Sequence, residues 1–292
     1  MKNFTLNSFK AVSLGVMFVL TMNAASAWDD TGHMLVSTVA YKRLNPRARE
    51  RVDRLTKTIR FCGKAYDPIT VSTWMDDLRA DSMHDDMREW HYINIPVFDG
   101  VPVDPKNIAA TNNVASRLKW GIATLTLGTG SDQKDGEVLG FLYHLAGDIH
   151  QPLHAATRYT SANPNGDAGG NFFKFTGIEE ADNLHRLWDT AAGAFEFWRA
   201  PRPLDNAART RLDEYARRLE AEFPLDKMPE AGEHNPDKWA QESHALARQY
   251  AYALKENTTP SLAYRTQTQA VARRRIALAG YRLANMINAI YP

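Results

Sequence analysis

Residues Phe141–His154 read FLYHLAGDIHQPLH and bring His144, Asp148 and His154 into one short span. The surrounding pattern predicts a helix from Ser131 to His150, with Ser131 as N-cap and apolar Val138, Leu139, Leu142, Leu145, Ala146 and Ile149. Helical residues four apart share a face, so His144 and Asp148 point the same way one turn apart. Pro152 is expected to end the helix, and His154 returns from another direction. Two imidazoles and a carboxylate so placed suit Zn²⁺, which takes His N and Asp O ligands. Taken alone, the His144/Asp148 pair also fits a buried ion pair.

Upstream, Met1–Ala27 has the pattern of a secretory signal: Lys2 and Lys10, an apolar run over Ala11–Met22, and a small-residue site at Ala25-Ser26-Ala27. The run is short for a membrane span. Cleavage there starts the mature chain at Trp28 and leaves 265 of 292 residues, read as one domain because no linker, repeat or low-complexity run divides them. Lys2 and Lys10 leave with the signal. The remaining 33 Lys and Arg face 34 Asp and Glu. A chain acting on a polyanion is more often basic, so charge alone argues against nucleic acid unless bound metal supplies the positive field. Cys62 is the single cysteine, which excludes an internal disulfide; it is expected to be a buried small apolar residue.

The mature chain opens WDDTGH, Trp28–His33, followed by a helical pattern through Leu44. A free amine on Trp28 can chelate a metal together with the Trp28 carbonyl, and His33 can fold back to join it. An ordinary helix start with a buried tryptophan fits the same residues. Asn45-Pro46 predicts a new helix with Asn as cap. Another follows Asp67-Pro68 and carries Asp76 and Asp77, of which one is expected to face the core and the other to be solvated. Trp90–Pro96 (WHYINIP) reads as extended, Val97–Lys106 as a loop, and Ile108–Leu127 as a helix. Arg158–Gly170 reads as a loop, and Asn171–Thr176 as a short strand or hairpin arm. Asn183–Thr190 starts a helix that repeats the i, i+4 pairing with His185 and Asp189. Three helical patterns near Asp205–Phe223, Asp237–Lys255 and Ser261–Ile290 show no chemical cluster. The fold class expected is mainly α, a single-domain multi-helix fold with minor short strands.

Five segments in order, WDDTGH, STWMDDLR (Ser72–Arg79), WHYINIP, FLYHLAGDIHQPLH and GGN followed by NLHRLWDT, resemble the zinc-dependent S1/P1 nuclease family. The resemblance spans Trp28–Asp189. It implies three Zn²⁺. Asp76, His91, His144 and Asp148 resemble the ligands of one; Asp148 bridges to a second, also held by His33 and by the Trp28 amine and carbonyl. His154, His185 and Asp189 resemble the ligands of the third. His84, His150, His234 and His244 keep no ligand role. Three zincs against three aspartates leave a local charge of about +3, which answers the charge argument.

By the same resemblance, the substrates are single-stranded DNA and RNA and 3′-nucleotides, and the products carry 5′-phosphates. Asp76, Arg79 and Asp148 take the catalytic roles. A hydroxide shared by two zincs attacks phosphorus, the third zinc stabilises the leaving 3′ oxygen, and Arg79 steadies the phosphate. A surface salt bridge is the plain alternative for Arg79. Tyr92 matches a base-stacking platform, a contact of roughly 1–3 kcal/mol per base. Asn94 stands where fungal members carry an acid, which leaves base preference open. Asn171 is taken with them as substrate-binding. Lack of disulfides suggests a bacterial, periplasmic or secreted member, and a monomer with no obligate protein partner is expected. Two other readings remain: a zinc phospholipase C-like phosphodiesterase, which the spacing before His33 and Asp189 in place of a glutamate disfavour, and a non-catalytic zinc-binding protein.

Overall fold

A computed structural model describes residues 28–98, 111–179, 181–196 and 198–292. The signal Met1–Ala27, most of the loop expected to end at Lys106, and the start of the helix expected from Ile108 lie outside the described residues.

The fold is mainly helical with short strands only. Helix α1 (Asp30–Tyr41) is buried from Thr31 to Ala40, so it has no solvent face and forms the centre of the packing. The long C-terminal helix α9 (Leu262–Ile290) lies against it. Gly280 permits the approach: a Cβ there would stand 2.6 Å from Val39 Cβ and 3.0 Å from the Val36 carbonyl. The third central helix is α5 (Asp132–Asp148), buried from Val138 onward. It packs on α2 (Pro46–Thr56), α4 (Val114–Leu127), α1 and α9. Outer helices α7 (Asn206–Glu222) and α8 (Pro236–Gln249) bury only one stripe each, as amphipathic helices on a core do.

Helix starts follow the expected caps. Asn45 accepts from the Ala48 amide, Asn183 from Arg186 and Ser261 from Tyr264. Ser131 holds the N-cap position of α5 without a side-chain bond. Pro152 does not end α5, which stops at Asp148; instead it opens a 3₁₀ turn over Pro152–Ala155, where its missing N–H costs nothing.

Several expectations are corrected. Trp90 and His91 close a 3₁₀ run from Ser82 to His91 rather than lying in a strand; the extended backbone begins at Tyr92. Val97 is in a strand, not a loop: β3 (Pro96–Phe98) pairs in parallel with β4 (Thr157–Tyr159), Pro96 opposite Thr157. Arg158 and Tyr159 therefore also leave the expected loop. Asn171–Thr176 forms no strand, only a bridge of Lys174 with Asn183. Cys62 is exposed, not buried. With Gly63 it makes the two-residue tip between β1 (Arg60–Phe61) and β2 (Lys64–Ala65), both residues at positive φ. Asp77 is not solvated: Tyr66, Lys64 and Arg202 bind its carboxylate.

The C-terminal third does hold a polar cluster. Arg275 and Arg282 of α9 are buried and share the Glu242 carboxylate at 2.7–3.0 Å. Arg275 Nε donates to the His150 carbonyl at 3.1 Å, and Arg282 Nη1 donates to His150 Nε2 at 3.0 Å. They fix the segment just past α5.

Candidate metal centre

The C-terminal end of α5, the first turn of α1, the short helix α3 (Trp74–Leu78), the 3₁₀ turn at Pro152 and helix α6 (Leu184–Asp189) converge on one buried site. Three groups of side chains there have ligand atoms within 4.8 Å of one another: His33, His144, Asp148; Asp76, His91, His144; and His154, His185, Asp189. All but Asp76, which is slightly exposed, are buried.

Asp148 faces two ways. Its Oδ1 lies 3.3 Å from His33 Nε2, while its Oδ2 lies 3.0 Å from His91 Nδ1 and 3.2 Å from His144 Nε2. The helical i, i+4 spacing aims His144 and Asp148 together as expected. His144 Nδ1 is 2.6 Å from the Ser72 carbonyl. A carbonyl only accepts, so Nδ1 carries the hydrogen. Nε2 is then the single ring atom of His144 that can ligate. His33 stacks on His144 at 4.1 Å between ring centroids. Both His33 ring nitrogens and Asp148 Oδ1 are buried with no hydrogen-bond partner among the described residues. Such orphaned groups are costly in a protein interior unless something else meets them.

The third group gives the sharper test of fit. His154 Nδ1 donates to the His91 carbonyl and His185 Nδ1 to the Gly169 carbonyl, both at 2.7 Å. Each Nε2 therefore carries a lone pair, and these two nitrogens face each other at 3.1 Å, with Asp189 Oδ1 3.5 Å from His185 Nε2. Two lone pairs and a carboxylate oxygen in a dry pocket repel unless a cation joins them. The donor set, imidazole nitrogen with carboxylate oxygen, suits a borderline divalent ion.

Burial lowers the His144 imidazole, but Asp148 and Asp76 outweigh it and raise it to about 9, so a cation at Nε2 would have to displace a proton there. Burial pushes the His33 and His185 imidazoles down to about 3, so both are neutral ligands at neutral pH. Burial also pushes the Asp189 carboxyl well up, against a hydrogen bond from Gln151. Asp148 is held well below the carboxylate range by His144 and His91 despite its burial.

The other expected site residues fall around these groups. Arg79 Nη1 lies 3.2 Å from Asp76 Oδ1, beside the second group. Trp28 is fully buried against Gly32 and Gly147. Tyr92 has extended backbone next to His91 and is 36% exposed, while the Ile95 amide donates to the Ile93 carbonyl at 3.0 Å and turns the chain at Asn94. Asn171 is partly exposed and donates to the Ala168 carbonyl.

Sequence reasoning missed Gly147. A Cβ there would stand 2.7 Å from His33 Nδ1, so the glycine before Asp148 lets His33 reach the site. It also missed Gln151 and Arg202. Arg202 joins Asp30 of α1 (2.7 Å) to Asp77 of α3 (3.0 Å), the neighbours of the site's own residues on both helices.

The sequence profile described as S1/P1 Nuclease matches residues 28–292. The chain belongs to the S1/P1 nuclease family. Among relatives of this S1/P1 nuclease, Endonuclease 4 of Arabidopsis thaliana is 25% identical over 94% of the chain and 93% of its own length. Nuclease S1 of Aspergillus oryzae is 27% identical over 75% of the chain and 78% of its own length. Nuclease P1 of Penicillium citrinum is 26% identical over 56% and 57%. As an S1/P1 nuclease the protein hydrolyses phosphodiester bonds, and its three His/Asp groups could hold metal ions.

Proposed function

We propose that this S1/P1 nuclease is a zinc-dependent endonuclease that cleaves single-stranded DNA and RNA to 5′-phosphorylated products and also removes phosphate from 3′-nucleotides. The observation that carries the reading is the pair of facing, hydrogen-free nitrogens, His154 Nε2 and His185 Nε2, 3.1 Å apart. Three Zn²⁺ are assigned. Asp76, His91, His144 and Asp148 hold one. Asp148, His33 and the Trp28 amine and carbonyl hold the second. His154, His185 and Asp189 hold the third. His144 serves only the first ion, because one of its nitrogens is spent on Ser72.

Bound zinc lowers the pKa of water toward neutrality and offsets phosphate charge. The chain's own residues do the rest. Asp148, with Oδ1 toward His33 and Oδ2 toward His91 and His144, would contribute an oxygen to each of two groups. Arg79, held beside Asp76, brings a fixed positive charge next to that group, where it would offset the negative charge a pentavalent phosphate gathers. Tyr92 offers a ring for any base, and Asn94, at the turn two residues on, offers both a donor and an acceptor to a base edge. Asn171, two residues past the Gly169 carbonyl that takes the His185 hydrogen, is assigned to substrate binding as well. A stacked base has to leave its neighbours to reach Tyr92, which favours single strands.

The assignment of Trp28 needs a free amine, because a peptide nitrogen is a poor ligand. Removal of residues 1–27 during export supplies it. No helix among the described residues is long and apolar enough to cross a membrane.

The test is a paired measurement on protein beginning at Trp28: zinc per chain, and 5′-mononucleotide release from single-stranded DNA and RNA with and without chelator. Three zincs with chelator-sensitive release are expected. Fewer than two zincs overturn the ligand assignment, and three zincs without release overturn the substrate.

A further inference from the structure

Gln151 lies between the end of α5 and the 3₁₀ turn that carries His154, and it is fully buried. Its amide makes two bonds. Oε1 accepts from the Leu153 amide at 2.5 Å, capping the turn, and Nε2 donates to Asp189 Oδ1 at 2.7 Å. The orientation is forced. Exchanging O and N would set an amide oxygen against a carboxylate and an NH₂ against a backbone N–H. The backbone before Gln151 is fixed as well, because Arg275 and Arg282 bind the carbonyl and ring of His150.

Asp189 ends α6, where the helix dipole disfavours an anion. Its backbone is pinned, since its carbonyl accepts from the Asp29 amide at 2.9 Å. Its carboxylate is directed by Gln151.

We propose that Gln151 is a positioning residue for the third ligand group: its amide N–H fixes the Asp189 carboxylate and so sets how tightly, and in what geometry, His154, His185 and Asp189 hold their ion. This rests on the ligand assignment above. Gln151 itself ligates nothing. Outer partners of ligating carboxylates typically carry about 10–100-fold in metal affinity.

Two variants separate the donor from the cap. Gln151→Met keeps length and volume and removes the donor. Gln151→Asn keeps a capping oxygen for Leu153, since Asn is a favoured N-cap, but is one methylene short of Asp189. Asp189→Asn is the reference for the ligand itself. The measurements are stepwise zinc affinities by chelator competition and the visible absorption of the Co²⁺-substituted protein, on the full mature chain.

In both Gln151 variants one of three ions is expected to bind about 10–100-fold more weakly, with the other two unchanged. The Co²⁺ bands of that one site should shift. Turnover should fall at low zinc and recover as zinc is raised, with KM unchanged. If Gln151→Met does not fold, Gln151→Asn alone decides. Unchanged affinities and bands, or equal weakening of all three ions, overturn the proposal, the latter because it marks only a structural brace. If Asp189→Asn keeps three ions at full affinity, the ligand assignment itself fails. If it loses one ion while the Gln151 variants keep all three, the assignment stands and the positioning role is wrong.

Discussion

His154 donates its Nδ1 hydrogen to the backbone carbonyl of His91 at 2.7 Å, and the Ile93 amide donates back to the His154 carbonyl at 2.8 Å. The ring of His91 belongs to one ligand group and its peptide orients another. Because His91 supports His154 through its carbonyl and not its ring, the two ligand groups can be removed separately. His91→Ala is expected to lose one zinc and His154→Ala a different one, with activity down at least about 100-fold in each. Elemental analysis of the purified variants checks this. Loss of two ions from His91→Ala would show that the ring, not the carbonyl, supports His154.

Gly147→Ala places a methyl 2.7 Å from His33 Nδ1. The imidazole has to move, and overpacking costs about 1–3 kcal/mol. The expected result is a lower melting temperature and loss of the ion shared by His33 and Asp148, with the His154 group intact. A variant with full zinc content and unchanged melting would contradict the close approach.

Arg202→Met breaks the link between Asp30 and Asp77 while keeping the stem. Asp77 keeps Lys64 and Tyr66, so the loss falls mainly on the partly exposed Asp30 and should cost about 1 kcal/mol. Because α1 and α3 carry His33 and Asp76, zinc affinity should fall along with stability. Urea unfolding with and without chelator separates the two effects.

Glu242 is held below the usual carboxylate range: burial raises it, but Arg282 and Arg275 outweigh that. A depressed folded value gives stability that is present above the unfolded pKa near 4.5 and is lost as pH falls through the folded value. Glu242→Gln removes this at all pH. Its melting temperature should lie well below that of the parent at pH 7, with the gap closing under about pH 4. A gap of constant size from pH 7 to pH 3 would mean that the charge of Glu242 does not matter.

Much of the centre was legible because its signals are local. His144/Asp148 and His185/Asp189 follow from helical spacing, and Asn45, Asn183 and Ser261 announce their helices. What was hidden depends on distant partners. Asp77 looked solvated until Lys64, Tyr66 and Arg202 surrounded it. Arg275 and Arg282 look like surface residues on a helix, and it is their meeting with Glu242, His150, Ser243 and the Glu230 carbonyl that lets them be buried. The 3₁₀ run over Ser82–His91 has no apolar period to read. Cys62 was judged by residue type, whereas the hairpin geometry around it decides its exposure.

Asp148 with one oxygen toward His33 and the other toward His91 and His144 also orders events in time. His33 precedes it by more than a hundred residues, and the two groups cannot exist until α1, α3 and α5 have packed. A growing chain has none of the complete groups, so an ion would meet the full ligand sets only after folding, and any ion they then held would raise the barrier against unfolding.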